Sequence, residues 1–358
     1  MNILKTNRVH FHTFDSLRFL SFLLVFLYHC GIPESNFLHY FAKAGRIGVS
    51  FFFVLSGFLI TYILLLEKLN NRNRVPLKKF FLRRILRIWP LYYAMVLFAI
   101  CTPFILAILK IPYSNEGYQP NWFYTVTFLE NYVMMYEDRI PNVSPILVIW
   151  SLCVEEHFYI IWGLIFYFIS FKHVPKLIVI SILISIISRI IYEKYHIPTL
   201  DIFTNIHYFA FGAVPSYIFV FHKGIIEKTE KISAFYKYAF AVFVLLFIVM
   251  ITNFPIITDH TVNSVVLAVL FSVLILSTLG KKNAFKISDN SIMAWLGKYT
   301  YGLYLIHTIC YNFFIKIGSG FELNWFAILI LSFFSTVLLS YLSYHIFEKQ
   351  FLKLKRSV

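Results

Sequence analysis

Arg18 and His29 stand eleven positions apart in the apolar run RFLSFLLVFLYH, residues 18–29. As a helix this is about three turns and about 16 Å, so both side chains leave one face, with Ser21 and Val25 between them. A second run, IWSLCVEEHFYIIWG, holds Glu155, Glu156 and His157 in succession. Ser151 lies one turn before Glu155 and Tyr159 one turn after it, whereas Glu156 points about 100° away. A third run, WLGKYTYGLYLIHT, carries His307. An imidazole beside a carboxylate can act as a general base, the carboxylate fixing the tautomer and steadying the imidazolium. The expected arrangement is His29 oriented by Glu155, acting as general base or as a covalent acyl relay, with His307 at similar depth.

A different chemistry is written in VPLKKFFLRRILRIWPLYY, which crowds Lys78, Lys79, Arg83, Arg84 and Arg87 at the start of one apolar run. The guanidinium fork suits phosphate oxygens, so Arg83, Arg84 and Arg87 are candidates for holding a polyphosphate. No GxSxG, HExxH or glycine-rich phosphate loop accompanies them. Cys30, Cys101, Cys153 and Cys310 show neither disulfide nor zinc-site spacing, and no metal is expected. The reactive carbon must then arrive on a bound molecule whose phosphates sit at the arginines and whose arm, of the order of half a membrane, reaches His29. Acyl-coenzyme A has that form.

The elements that position these groups follow from composition. Of 358 residues, 59% are hydrophobic and 14% charged, against roughly 25% charged in ordinary soluble domains. A soluble globule is excluded. Ten apolar runs are long enough to cross a bilayer as helices, at about 14–31, 46–66, 88–109, 145–170, 175–192, 200–221, 235–252, 260–280, 295–316 and 325–347. The expected fold is all-α and polytopic: a membrane domain over 14–347, an N-terminal segment 1–13 and a basic tail 348–358. The net charge of +15 is concentrated in Lys5, Arg8, the stretch Lys68–Arg87, alternate later loops and the tail Lys349, Lys353, Lys355 and Arg356. This is a positive-inside distribution with both termini cytoplasmic, and it speaks for a lipid bilayer as partner and against nucleic acid. MNILKTNRVHFHT lacks the apolar core of a cleavable signal. The outer loop from Lys110 to Ser144, with Trp122, Tyr124 and Tyr132, is expected to lie near the outer face and to offer rings to a sugar. Gly48, Ser50, Ser56 and Gly57 read as helix-packing positions.

Taken together, the Arg18–His29 spacing, GVSFFFVLSGFLIT, FLRRILRIWPLYY, WSLCVEEHFY, WLGKYTYGLYLIH and SYHIFEKQF resemble the acyltransferase 3 family of membrane O-acyltransferases, in the family's order from about Asp15 to Phe351. The resemblance implies a multi-pass inner-membrane enzyme that takes an acyl group, usually acetyl, from cytoplasmic acyl-CoA to a hydroxyl of a cell-surface or lipid-linked carbohydrate. It implies roles for Arg18 and His29 as a pair, for the arginines Arg83, Arg84 and Arg87, and for Glu155 or Glu156. His157 stands where the family commonly has Gln, which leaves that position's role open, as it does for Ser151, Tyr159, His307 and Glu348. No fused extracytoplasmic domain is expected, so a separate partner could complete the transfer. A proton-coupled transporter or flippase, with His29, Glu155 and His307 as a relay, is the alternative from another class.

Overall fold

In lipid a backbone amide finds no water, so apolar runs of this length fold into helices that satisfy their own hydrogen bonds. The computed structural model describes residues 9–354 apart from 109, 111–116, 143–145, 255 and 319. Lys5, Arg8, Ser144, Pro145, Lys355 and Arg356 lie outside the described residues. A helix stands at each of the ten expected positions. They are α1 (Thr13–His29), α2 (Gly45–Asn70), α3 (Leu77–Ile108), α4 (Trp150–Phe168), α5 (Val174–Lys194), α6 (Ile202–Phe221), α7 (Ala234–Asn253), α8 (His260–Thr278), α9 (Thr300–Gly318) and α10 (Trp325–Leu342). Several start where the sequence supplies a side-chain acceptor for a free amide: Asp201 caps α6, Asp259 caps α8 and Asn324 caps α10. No strand occurs among the described residues. The expected surface-lying piece of the 110–144 loop folds as two short helices, Trp122–Val126 and Glu130–Glu137.

This is an all-α, multi-pass membrane protein. Six helices are long and apolar enough to cross a bilayer: α2, α3, α5 with the turn before it, α7, α8, and α10 with its continuation to Leu354. A seventh arises if α6 is counted with Lys223–Lys231, to which it is bent by 100°. Helices α1, α4 and α9 fall outside this set. They are the three that carry Arg18 and His29, the paired glutamates, and His307: α1 is 17 residues long, and in α4 and α9 polar groups lower the apolar content.

Helix α2 is the hub. Of its most apolar window 72% is buried inside the protein, against 17% for α7, which therefore faces lipid. Its closest neighbour is α6, and small residues set the distance on both sides. A Cβ on Gly57 would collide with the carbonyl oxygen of Phe209, and one on Gly212 with that of Val54. On another face of α2, Gly48 sits against the backbone of Ser21 in α1. The N-terminus of α1 is tied to the segment before α9 through His10 and His12, which both bond to Asp289. Burial pushes the Asp289 carboxyl up, but the bonds from His12 and His10 outweigh it and hold the group below its ordinary value.

The α2–α6 contact gives the first prediction. Gly57→Val forces the two backbones apart, at an overpacking cost of about 1–3 kcal/mol. The thermal midpoint in detergent should fall by several degrees, and an unchanged midpoint would show that the helices do not approach this closely.

Candidate active site

Five helices converge on a cavity of about 140 Å³. From α1 it receives Arg18; from the middle of α2, Val49, Phe52 and Ser56; from the start of α3, Arg84 and Arg87; from α4, Ser151, Glu155 and Tyr159; from α9 and the residues before it, Lys298, Tyr301 and Tyr304. Drug-sized ligand pockets run from about 300 Å³ upward. The space therefore admits the narrow end of a ligand, while a bulky end must stay at the mouth.

That mouth is cationic. Arg87 and Lys298 are exposed there, with Arg18 and Arg84 half-buried behind them. Arg18 Nη1 donates to Asp15 Oδ1 at 2.6 Å, one turn back along α1. The Arg84 guanidinium lies over the Tyr159 ring, 5.7 Å from its centre. Arg83, by contrast, does not line the cavity. It turns to Glu67 at the end of α2, with Nη1 3.3 Å from Oε1. Of the expected arginine trio, Arg84 and Arg87 line the cavity, joined by Arg18 and Lys298, and Arg83 does not.

Deeper in, Glu155 accepts hydrogen bonds from Ser56 Oγ and from Tyr159 Oη, the latter at 2.5 Å. Ser151 Oγ and Tyr304 Oη lie 2.7 Å apart, and Tyr304 Oη also donates to the Val148 carbonyl at 3.1 Å. Glu156 points away, as its position on the helix requires. It accepts from Trp89 Nε1 at 3.3 Å, and its Oε1 is buried with no partner among the described residues. His157 stacks on Tyr132 with ring centres 5.6 Å apart. Of the two glutamates, Glu155 is the one in the cavity.

His29 is not held by Glu155. Its ring is paired with His307, centre to centre 5.0 Å, with His307 Nε2 3.2 Å from His29 Nδ1. His29 Nδ1 also lies 2.9 Å from the Val25 carbonyl, and His307 Nδ1 lies 2.7 Å from the Tyr304 carbonyl. A carbonyl only accepts, so in the neutral pair both Nδ1 atoms carry hydrogen. His307 Nε2 is then an acceptor facing His29 Nδ1–H, and His29 Nε2 is a lone pair with no partner among the described residues. His307 is fully buried and His29 is half-buried at the end of α1. The pair lies one turn of α9 beyond Tyr304, so that residue links the two halves: its hydroxyl faces the cavity and its carbonyl holds His307.

Ser56 reads from sequence as a packing position, and Lys298, Tyr301 and Tyr304 are not singled out there. These three lie in WLGKYTYGLYLIHT, where spacing from His307 is the available signal, because Tyr304 precedes it by one turn and Tyr301 by one turn more. Glu348, in a π-helical turn that ends α10, accepts from Ser343 Oγ at 3.0 Å. Trp122, Tyr124 and Tyr132 do not line this cavity. Among the described residues the one group with metal-ligand types in reach of each other is His10, His12 and Asp289, the tie at the foot of α1.

A family model described as an acyltransferase domain matches residues 11–345. The chain is similar to the peptidoglycan O-acetyltransferase OatA of Listeria monocytogenes, 27% identical over 322 residues, which are 84% of this chain and 49% of that protein. It is also similar to the putative peptidoglycan O-acetyltransferase YrhL of Bacillus subtilis, 35% identical over 41% of this chain and 22% of that one. An uncharacterized protein of Haemophilus influenzae is 32% identical over 44% of this chain and 68% of its own. The chain spans about half the length of the Listeria relative. No solved structure matches.

Tyr304→Phe tests the link between the halves. Removing the hydroxyl leaves Ser151 without its side-chain partner and should cost about 1 kcal/mol of stability. Thermal unfolding should show a small drop with the fold retained; no change would mean the hydroxyl bonds equally well to water.

Proposed function

The chain belongs to the acyltransferase 3 family, and from that membership we propose that it transfers an acetyl group from acetyl-CoA to a hydroxyl of a carbohydrate, across the membrane in which it sits. The observation that carries this reading is a cationic mouth and narrow polar cavity at Arg18, with an imidazole that keeps an open lone pair three turns further along α1.

The diphosphate of the donor would lie against Arg84, Arg87 and Lys298, at the end of the bundle we assign to the cytoplasm. A cavity of about 140 Å³ is too small for the nucleotide but wide enough for a thin arm. Arg18 to His29 spans about 16 Å along the helix, the reach such an arm needs. His29 Nε2 takes the proton of the acceptor hydroxyl as its oxygen attacks the thioester carbonyl. The C–S bond then breaks and the imidazolium returns the proton to the leaving sulfur, so an ester and a free thiol result. His307 performs the task first assigned to Glu155: its Nε2 accepts from His29 Nδ1–H, which fixes the tautomer and steadies the charged ring. Glu155, bonded to Ser56 and Tyr159, lines the narrow cavity and sets a negative charge among the cations; His29 and His307 stand beyond its lining residues, so the acyl end would have to pass Tyr304 to reach them.

The similarity to a peptidoglycan O-acetyltransferase supports a glycan acceptor. Acetyl-CoA turnover by the purified chain in nanodiscs, followed as thiol release with a glycan extract, tests the reading. His29→Ala should lower the rate at least about a hundredfold. Arg84→Gln should raise KM several-fold with kcat little changed, because the nucleotide end is bound equally in ground and transition states. A folded His29→Ala protein with wild-type turnover would overturn the mechanism.

A further inference from the structure

A second and larger cavity, about 1260 Å³, opens at the opposite end of the bundle. It is framed by the start of α2, the start of α4, the α5–α6 junction and the α7–α8 junction. This is well above the usual range of about 300–1000 Å³ for small-molecule pockets, and it accommodates several linked rings. Resting on the acyl-transfer reading above, we propose that this cavity is the acceptor site and that it takes a negatively charged oligosaccharide.

Charge is the first ground. Lys43, Arg46, Arg139 and Arg189 line the cavity, against the carboxylates of Asp138 and Glu193. The cations are not spent on those carboxylates. Lys43, Arg46 and Arg139 make no ion pair among the described residues, and Glu193 takes only a long bond, 3.5 Å, from Thr261. Arg189 is placed rather than loose. Its Nε donates to the Thr204 carbonyl at 2.7 Å and its guanidinium lies over the Tyr208 ring, which leaves the terminal nitrogens open to a carboxylate or phosphate.

The second ground is a polar group left waiting. Asn263 lines the cavity, and its amide nitrogen donates to the Ile257 carbonyl while its Oδ1 is buried with no partner. A sugar hydroxyl is a donor of the right size for such an oxygen. Trp150 adds a ring face of the kind that stacks on a pyranose.

Position is the third ground. Trp150 lines the outer cavity and the next residue, Ser151, lines the inner one. The Trp150 ring meets that of Phe53, an inner-cavity residue, edge to face at 6.2 Å. One aromatic pair thus stands between the two spaces. The short helix Leu38–Lys43 packs on α1, whose last residue is His29, and it brings Lys43 to the cavity rim. An acceptor bound here is therefore at the imidazole's end of the bundle and apart from the donor's mouth.

The test is binding without donor, so that it stands separately from catalysis. A hexauronate and its carboxyl-reduced neutral counterpart are titrated onto the full chain in nanodiscs, with coenzyme A titrated as a control. The acidic saccharide should bind saturably and at least about tenfold more tightly than the neutral one, with affinity falling as salt rises. Arg46→Gln, at an exposed and unpaired position that leaves packing intact, and Arg189→Gln should each weaken it about five- to tenfold, with coenzyme A binding unchanged. Equal binding of both saccharides, binding of neither, or indifference to both substitutions would overturn the proposal. Acidic-saccharide binding that obeys these rules in a protein without thioester turnover would support this site and contradict the transfer reading alone.

Discussion

The close backbone contact between α2 and α6, which Gly57 and Gly212 alone permit, is the constraint on which the rest depends. It makes α2 the buried centre of the bundle and leaves its remaining faces to carry different surfaces. Val49, Phe52 and Ser56 line the narrow cavity, Arg46 and Ser50 the wide one, and Gly48 the contact with α1. One helix is thus wall to both spaces, and a shift in its packing would alter both.

The polar groups are distributed as a medium without water requires. Most of those around the narrow cavity have found a partner within the protein, Glu156 Oε1 being an exception, and the partnerships divide the labour. Asp15 steadies Arg18, Ser56 and Tyr159 hold Glu155, and Tyr304 bonds Ser151 with its hydroxyl and His307 with its carbonyl. Of the two paired imidazoles, His29 is the one that keeps a ring nitrogen without a partner among the described residues. A residue whose bonding capacity is left over after packing is complete is the one available to a substrate.

Much of this was legible in the sequence, because helix length and face follow from fixed periodicities. The ten apolar runs located the helices, most of them to within about five residues, although α3 starts at Leu77, eleven residues before the expected 88, and helical spacing put Ser151 and Glu155 on one side of α4 and Glu156 on another. Across-helix pairing was not legible. Nothing in spacing says that the imidazole partner of His29 lies in α9 and not α4, since both candidates stand at similar depth. Arg83 and Arg84 are neighbours in sequence, yet one faces Glu67 and the other the cavity, a choice set by where α2 ends. The aromatic stretch around Trp122 lines neither cavity: Tyr132 stacks with His157, and the rings that border the wide cavity come from Trp150 and the α5–α6 junction.

The central claim is that a donor entering between Arg84, Arg87 and Lys298 reaches His29 along α1. Cryo-electron microscopy of the full chain in nanodiscs, with a non-hydrolysable thioether analogue of acetyl-CoA, tests it most directly. The account predicts the diphosphate among those three side chains and the acyl carbonyl within hydrogen-bonding reach of the site next to His29 Nε2. Density for the nucleotide at the opposite end of the bundle, or an acyl end that stops at Glu155 with His29 out of reach, would contradict it.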